Sequence, residues 1–227
     1  MYIRAVREDD HWRVENAFGH ALALPCPPDA LGGEIRFGVL GTGTRAKVRG
    51  RKTDRMADTL AALRRPIYLL DARRNGVGGQ GSWSPLEFAS LIPAAIDGPY
   101  PYAFVHLPCV APSHGLVDTW HGGRLANWRE FRNLYNAELS AASVEVARAF
   151  VETAATAGGL AIFLCAEPDA PDFDTCSLEE QNELYCHRFA LARRVADRLR
   201  EAHPAAEVRL MCLDIGADPR IVTLAGK

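Results

Sequence analysis

Five short runs of almost unbroken apolar residues constrain this chain more than any other feature. They are Ile35–Leu40, Ile67–Asp71, Ala103–Leu107, Leu160–Cys165 and Val208–Leu213, each bounded by turn residues or charge. Runs of this length read as strands, and continuous apolarity in place of alternation means that both faces are covered. Between the runs the period changes. Thr53–Leu63 carries Met56, Leu60 and Leu63 on one helical face. Asn127–Ala157 reads as one long helix with Trp128, Phe131, Tyr135, Leu139, Val146 and Phe150 in register, stopped by Gly158-Gly159. A third helix, from about Leu178 to about Ala202, begins at the capping box Ser177-x-x-Glu180 and places Phe189, Ala192, Val195, Ala196 and Leu199 on one stripe.

Alternating strands and helices predict a three-layer α/β domain over residues 1–227, Rossmann-like, with a mostly parallel sheet of about five strands and helices on both faces. Residues 1–34 fit this scheme poorly. Met1–Val6 reads as an edge strand and Asp10–Ala23 as a helix, together an N-terminal appendage. At 48% hydrophobic and 24% charged, the chain has material for a large core and is not of disordered composition. A net charge of −2 argues against a surface that coats nucleic acid or membrane as a whole. No segment approaches the apolar length of a membrane span, and Met1–Asp10 lacks a signal-peptide core. The 6 cysteines are scattered through a chain too long to need a disulfide scaffold, which favours reduced thiols in a cytoplasmic setting.

In a parallel sheet, ligands bind beyond the carboxyl ends of the strands. After Leu40, the sequence Gly41-Thr-Gly43-Thr-Arg-Ala46 fits a dinucleotide-binding pattern, but Val48–Thr53 lacks the helix this needs, so a glycine turn is the better reading. The same loop holds Arg45, Lys47, Arg49, Arg51, Lys52 and Arg55, a solvated basic face or a phosphate or nucleic-acid contact. After Asp71, Arg73 offers a fork of donors to an anion, and the glycine-rich stretch to Ser84 reads as an anion cradle or a connecting loop. His106, Cys109, His114 and His121 match no standard zinc spacing. The strongest signal is Cys165-Ala-Glu167 at a strand end followed by Cys186-His187-Arg188. A thiol beside His and Arg has the neighbours that favour thiolate, and Glu167 is placed to handle a proton or orient His187.

These residues resemble the family catalogued as domain of unknown function 488, with its strand–Leu-x-Cys-x-Glu and Cys-His-Arg stretches. Here the strand Ile162-Phe163-Leu164 leads into Cys165-Ala166-Glu167, with Phe163 at the family's leucine position, and Cys186-His187-Arg188 resumes the pattern; weaker matches lie at Val39-Leu40-Gly41-Thr42 and Asp71-Ala72-Arg73. The intervening stretch is longer than the family's usual one. A helix running straight through from Leu178 puts Cys186 mid-helix; a break near Tyr185 puts it at a helix start, where the dipole favours thiolate. The resemblance implies a site at these strand ends and assigns no reaction.

Three readings follow. The preferred one is a cysteine-dependent enzyme acting on a phosphate-bearing substrate, a nucleotide or nucleic acid. It uses Cys165, Glu167, Cys186 and His187 for catalysis and Asp71, Arg73, Arg188, Arg45 and Lys47 to hold the anion. The second is a zinc or iron enzyme with Cys165, Cys186 and His187 as ligands and Cys176 or Cys109 as a candidate further one. The third is a non-catalytic nucleic-acid-binding module resting on Arg45–Arg55.

Overall fold

The five apolar runs lie side by side at the centre of one sheet. The computed structural model describes residues 2–8, 11–16, 21–22, 31–41, 56–74, 102–165, 187–213 and 220–222. In chain order its strands are β1 (Tyr2–Glu8), β2 (His11–Asn16), β3 (Ala21–Leu22), β4 (Gly33–Gly41), β5 (Ile67–Asp71), β6 (Tyr102–His106), β7 (Leu160–Cys165), β8 (Ala206–Leu213) and β9 (Arg220–Val222). The helices are α1 (described over 56–61), α2 (His114–His121), α3 (Trp128–Glu138), α4 (Ala141–Thr156) and α5 (His187–Ala202), with a single 3-10 turn at Pro108–Val110.

Among the described residues the sheet order is β3-β2-β1-β6-β5-β7-β4-β8-β9. The run from β1 through β8 is parallel, and the flanking pairs β1–β2, β2–β3 and β8–β9 are antiparallel. Every residue of β7 is buried, as expected of a strand covered on both faces. Alternation then sorts its side chains. Ala161 and Phe163 join the core under α3, α4 and α5, whereas Leu160, Ile162 and Leu164 join the core that Met56 and Leu60 of α1 cap. The architecture is therefore three-layer α/β and Rossmann-like. Phe37 and Phe163, from neighbouring strands, meet edge to face at 6.0 Å in the larger core.

Three expectations are corrected. Asp10–Ala23 is not a helix: His11–Asn16 and Ala21–Leu22 pair as antiparallel strands, and Val14 is buried opposite Ala5. Trp12 and Val14 alternate with Arg13 and Glu15, a period-two pattern. Tyr2–Glu8 is a strand, but β2 and β6 flank it on either side, so it is not an edge, and β1, β2 and β3 extend the main sheet. The long helix expected over Asn127–Ala157 is two. Leu139 turns extended, and the Ser140 hydroxyl accepts from the Ser143 amide, restarting the helix with its own N-cap.

The predicted glycine stop holds. Gly158 takes a positive φ of 67° after α4, and Gly159 runs against the entry to β5. A Cβ at Gly159 would stand 2.6 Å from the Pro66 carbonyl oxygen, a backbone atom that also accepts from the Leu160 amide. Gly159→Ala is expected to lower stability by about 1–3 kcal/mol, the cost of overpacking. An unchanged denaturation midpoint would show that this turn yields freely.

At the amino edge of the sheet a buried polar group ties three segments. The Leu31 amide donates to Nδ1 of His203 at 3.0 Å, and His203 Nε2 meets the Glu152 carboxylate of α4 at 2.7 Å. Arg148 donates to the same carboxylate oxygen.

Candidate active site

The register of the parallel strands brings their carboxyl ends to one level. Asp71 at the end of β5 lies opposite His106 on β6 and Leu164 on β7, and Gly41 of β4 lies opposite Cys165. The chain leaves these strands in opposite directions. After β5 it goes on to β6 on one side, and after β7 it goes on to β8 on the other. Neighbouring strands whose connections diverge define the switch point of a doubly wound sheet, where a crevice opens beyond the strand ends. Here that point lies between Asp71 and Cys165.

Beyond β5 the backbone is held at every step. The Asp71 carbonyl accepts from the Leu107 amide at 2.9 Å, and the Ala72 amide donates to the Leu164 carbonyl at 3.0 Å. The Asp71 carboxylate accepts from the Arg73 amide at 3.1 Å and from the same residue's Nε and Nη2 at 2.8 and 2.7 Å. This two-toothed pairing uses both carboxylate oxygens and two of the five guanidinium donors. The pair is buried, with Asp71 fully enclosed and Arg73 6% exposed. Arg74, next along, donates to the carbonyls of Pro112 and Ala111.

From the opposite side comes the start of α5. His187 Nε2 lies 3.2 Å from the Ala72 carbonyl, and Arg188 Nη1 donates to Cys165 Sγ at 2.6 Å. Because a carbonyl only accepts, His187 carries a proton on Nε2. The Tyr135 ring of α3 packs edge-on to the His187 ring at 5.7 Å, and its hydroxyl donates to the Val110 carbonyl at 2.6 Å. Arg188 also lies 5.1 Å from the Phe189 ring centroid. Cys165 and Arg188 are both buried.

Of the residues singled out from sequence, Asp71, Arg73, Cys165, His187 and Arg188 converge on this edge. Glu167, Cys186, Arg45 and Lys47 lie outside the described residues, as do the rest of the basic loop to Arg55, the glycine-rich stretch from Asn75 to Ser84, Cys176 and the Ser177–Glu180 capping box. Whether Cys186 is mid-helix or at a helix start falls there too. His106 enters the cluster, by its Nε2 at 2.8 Å from the Arg73 carbonyl. Sequence reasoning missed Tyr135 as a site residue, because on a helical face it reads only as core. Cys109 is chemically quiet: burial pushes its thiol up to about 12.

Among the described residues, no group of three or more His, Cys, Asp or Glu is placed to hold a metal ion. The described members of the expected zinc or iron set fit a cation poorly, since the Arg188 guanidinium stands where a metal on Cys165 would be repelled. A dinucleotide site fares no better. β7 separates Asp71 from the strand bearing Gly41, and both Asp71 oxygens are turned on Arg73 instead of a ribose. No helix among the described residues is long and apolar enough to cross a membrane. No family model, curated protein or solved structure matches the chain.

Proposed function

We propose that this protein is a cysteine-dependent enzyme acting on a phosphate-bearing substrate, a nucleotide or nucleic acid, at the carboxyl edge between β5 and β7. The observation that carries the reading is the arrival of two arginines, a histidine and a thiol from three separate elements at the switch point. A fold without a ligand there has little reason to bury Arg73 and Arg188, since burying charge is costly and apolar replacements serve a core as well. Arg73 and Arg188 hold the anion, with Arg45 and Lys47 as outer cations, and His187 handles the proton. Cys165, fully buried beneath Arg188, seats that guanidinium. The nucleophile is then Cys186, adjacent in sequence to His187, with Glu167 as its acid–base partner. The resemblance to domain of unknown function 488 points to the same residues, and scattered thiols suit a cytoplasmic enzyme.

Alkylation tests the reading without knowledge of the substrate. Iodoacetamide at neutral pH is expected to modify Cys186 faster than Cys109 or Cys165, and inorganic phosphate is expected to slow that reaction. Arg73→Lys keeps the charge but loses the fork, so phosphate protection should weaken about tenfold. The reading fails if Cys186 reacts no faster than Cys109, or if saturating phosphate leaves its rate unchanged.

A further inference from the structure

Two consecutive carbonyls beyond β5 each meet an imidazole. The Ala72 oxygen lies 3.2 Å from His187 Nε2, and the Arg73 oxygen lies 2.8 Å from His106 Nε2. The two rings come from different layers. His187 opens α5, which packs on the larger core, whereas His106 ends β6 with the alternation of Tyr102 and Phe104, toward the α1 face. The two peptides that flank Arg73, one before it and one after it, are thereby held from opposite faces of the sheet.

We infer that His106 is a positioning residue for Arg73: it fixes the carbonyl of the residue whose guanidinium meets the anion. The step from backbone to side chain is short. Arg73 donates its own amide to Asp71 Oδ1, and the same oxygen accepts from its Nε. A displacement of the Arg73 backbone would disturb both bonds together, because amide and guanidinium share one acceptor. His106 restrains that displacement at the carbonyl end. A carbonyl only accepts, so Nε2 of His106 carries a proton whether the ring is neutral or charged, and the restraint does not depend on the ring's charge. The inference rests on the proposed anion role of Arg73, but the restraint itself is measurable without it.

The experiment compares His106→Ala and His106→Gln with the unaltered full chain, reading hydrogen exchange at the Arg73 Nε–H by NMR and the affinity for inorganic phosphate. The glutamine amide presents a donor to the same carbonyl. In the alanine variant exchange should rise, and phosphate affinity fall, by roughly three- to tenfold, the worth of one hydrogen bond. Glutamine should restore most of both. Unchanged exchange in His106→Ala overturns the inference, as does faster exchange with unaltered phosphate affinity, or a glutamine variant no better than alanine. Should the unaltered chain bind no phosphate, the proposed function falls, and the exchange comparison alone decides whether His106 holds Arg73.

Discussion

Asp71→Ala is expected to remove about 3–5 kcal/mol of folding stability, a large part of the roughly 5–15 kcal/mol available to a domain. The variant leaves the Arg73 guanidinium buried without its carboxylate and takes away the acceptor of the Arg73 amide. Asp71→Asn keeps a side-chain oxygen for that amide and should lose less. The informative variant is the double one, Asp71→Leu with Arg73→Met. A buried ion pair exchanged for apolar groups of similar size is often neutral or stabilising, because neither charge is then stranded. Most of the loss is therefore expected to return, giving a strong coupling in the double-mutant cycle. The same double variant should show no phosphate protection of Cys186. Stability regained with anion binding lost is the signature of a pair kept for function. If the double variant is as unstable as Asp71→Ala, the pair holds up the fold, and its burial says nothing about a ligand.

Much of this arrangement is legible in the sequence because hydrophobic pattern is local. Leu160–Cys165 has no polar residue to place on either face, so it can only be a buried strand, and the five runs of this kind became the five central strands within a residue or two. The ends of those strands were legible for the same reason: Asp71 and Cys165 are where each apolar run stops. Strand order is not local, and no periodicity reveals that β7 inserts between β4 and β5. The switch point, and hence the meeting of Asp71 with Leu164 and of Cys165 with Arg188, follows from that order alone. The N-terminal hairpin was misread because His11–Asn16 is short, and its alternation competes with a helical count over Asp10–Ala23. The split between α3 and α4 was missed because Leu139 and Val146 keep the helical stripe across a break made by Ser140, whose capping hydrogen bond leaves apolar spacing intact.

The other large effect is expected far from this edge, at His203, and it separates stability from function. His203→Ala should lower stability by about 3 kcal/mol, the sum of two buried polar groups losing a partner and a void left by the ring. Those groups are the Leu31 amide, which donates to Nδ1, and the Glu152 carboxylate, which accepts from Nε2. Their roles follow from the donor at Leu31: an amide needs a lone pair on Nδ1, so the ring proton stands on Nε2, facing Glu152. Glu152 is fully buried and keeps Arg148, so its charge is not stranded and the loss stays below that of Asp71→Ala. His203→Gln can imitate the ring, its oxygen toward Leu31 and its nitrogen toward Glu152, and should recover about half of the loss. Denaturant titration reads this as a lower midpoint with an unchanged slope. Since Leu31 precedes β4 at the amino edge of the sheet and Cys165 ends β7 at the carboxyl edge, the destabilised variant should keep full phosphate protection of Cys186 under native conditions. A loss under about 1 kcal/mol would mean that the imidazole does not hold these segments together. Loss of phosphate protection in a folded His203→Ala would instead couple the two edges through α5, which carries His187 and Arg188 at one end and leads into His203 at the other.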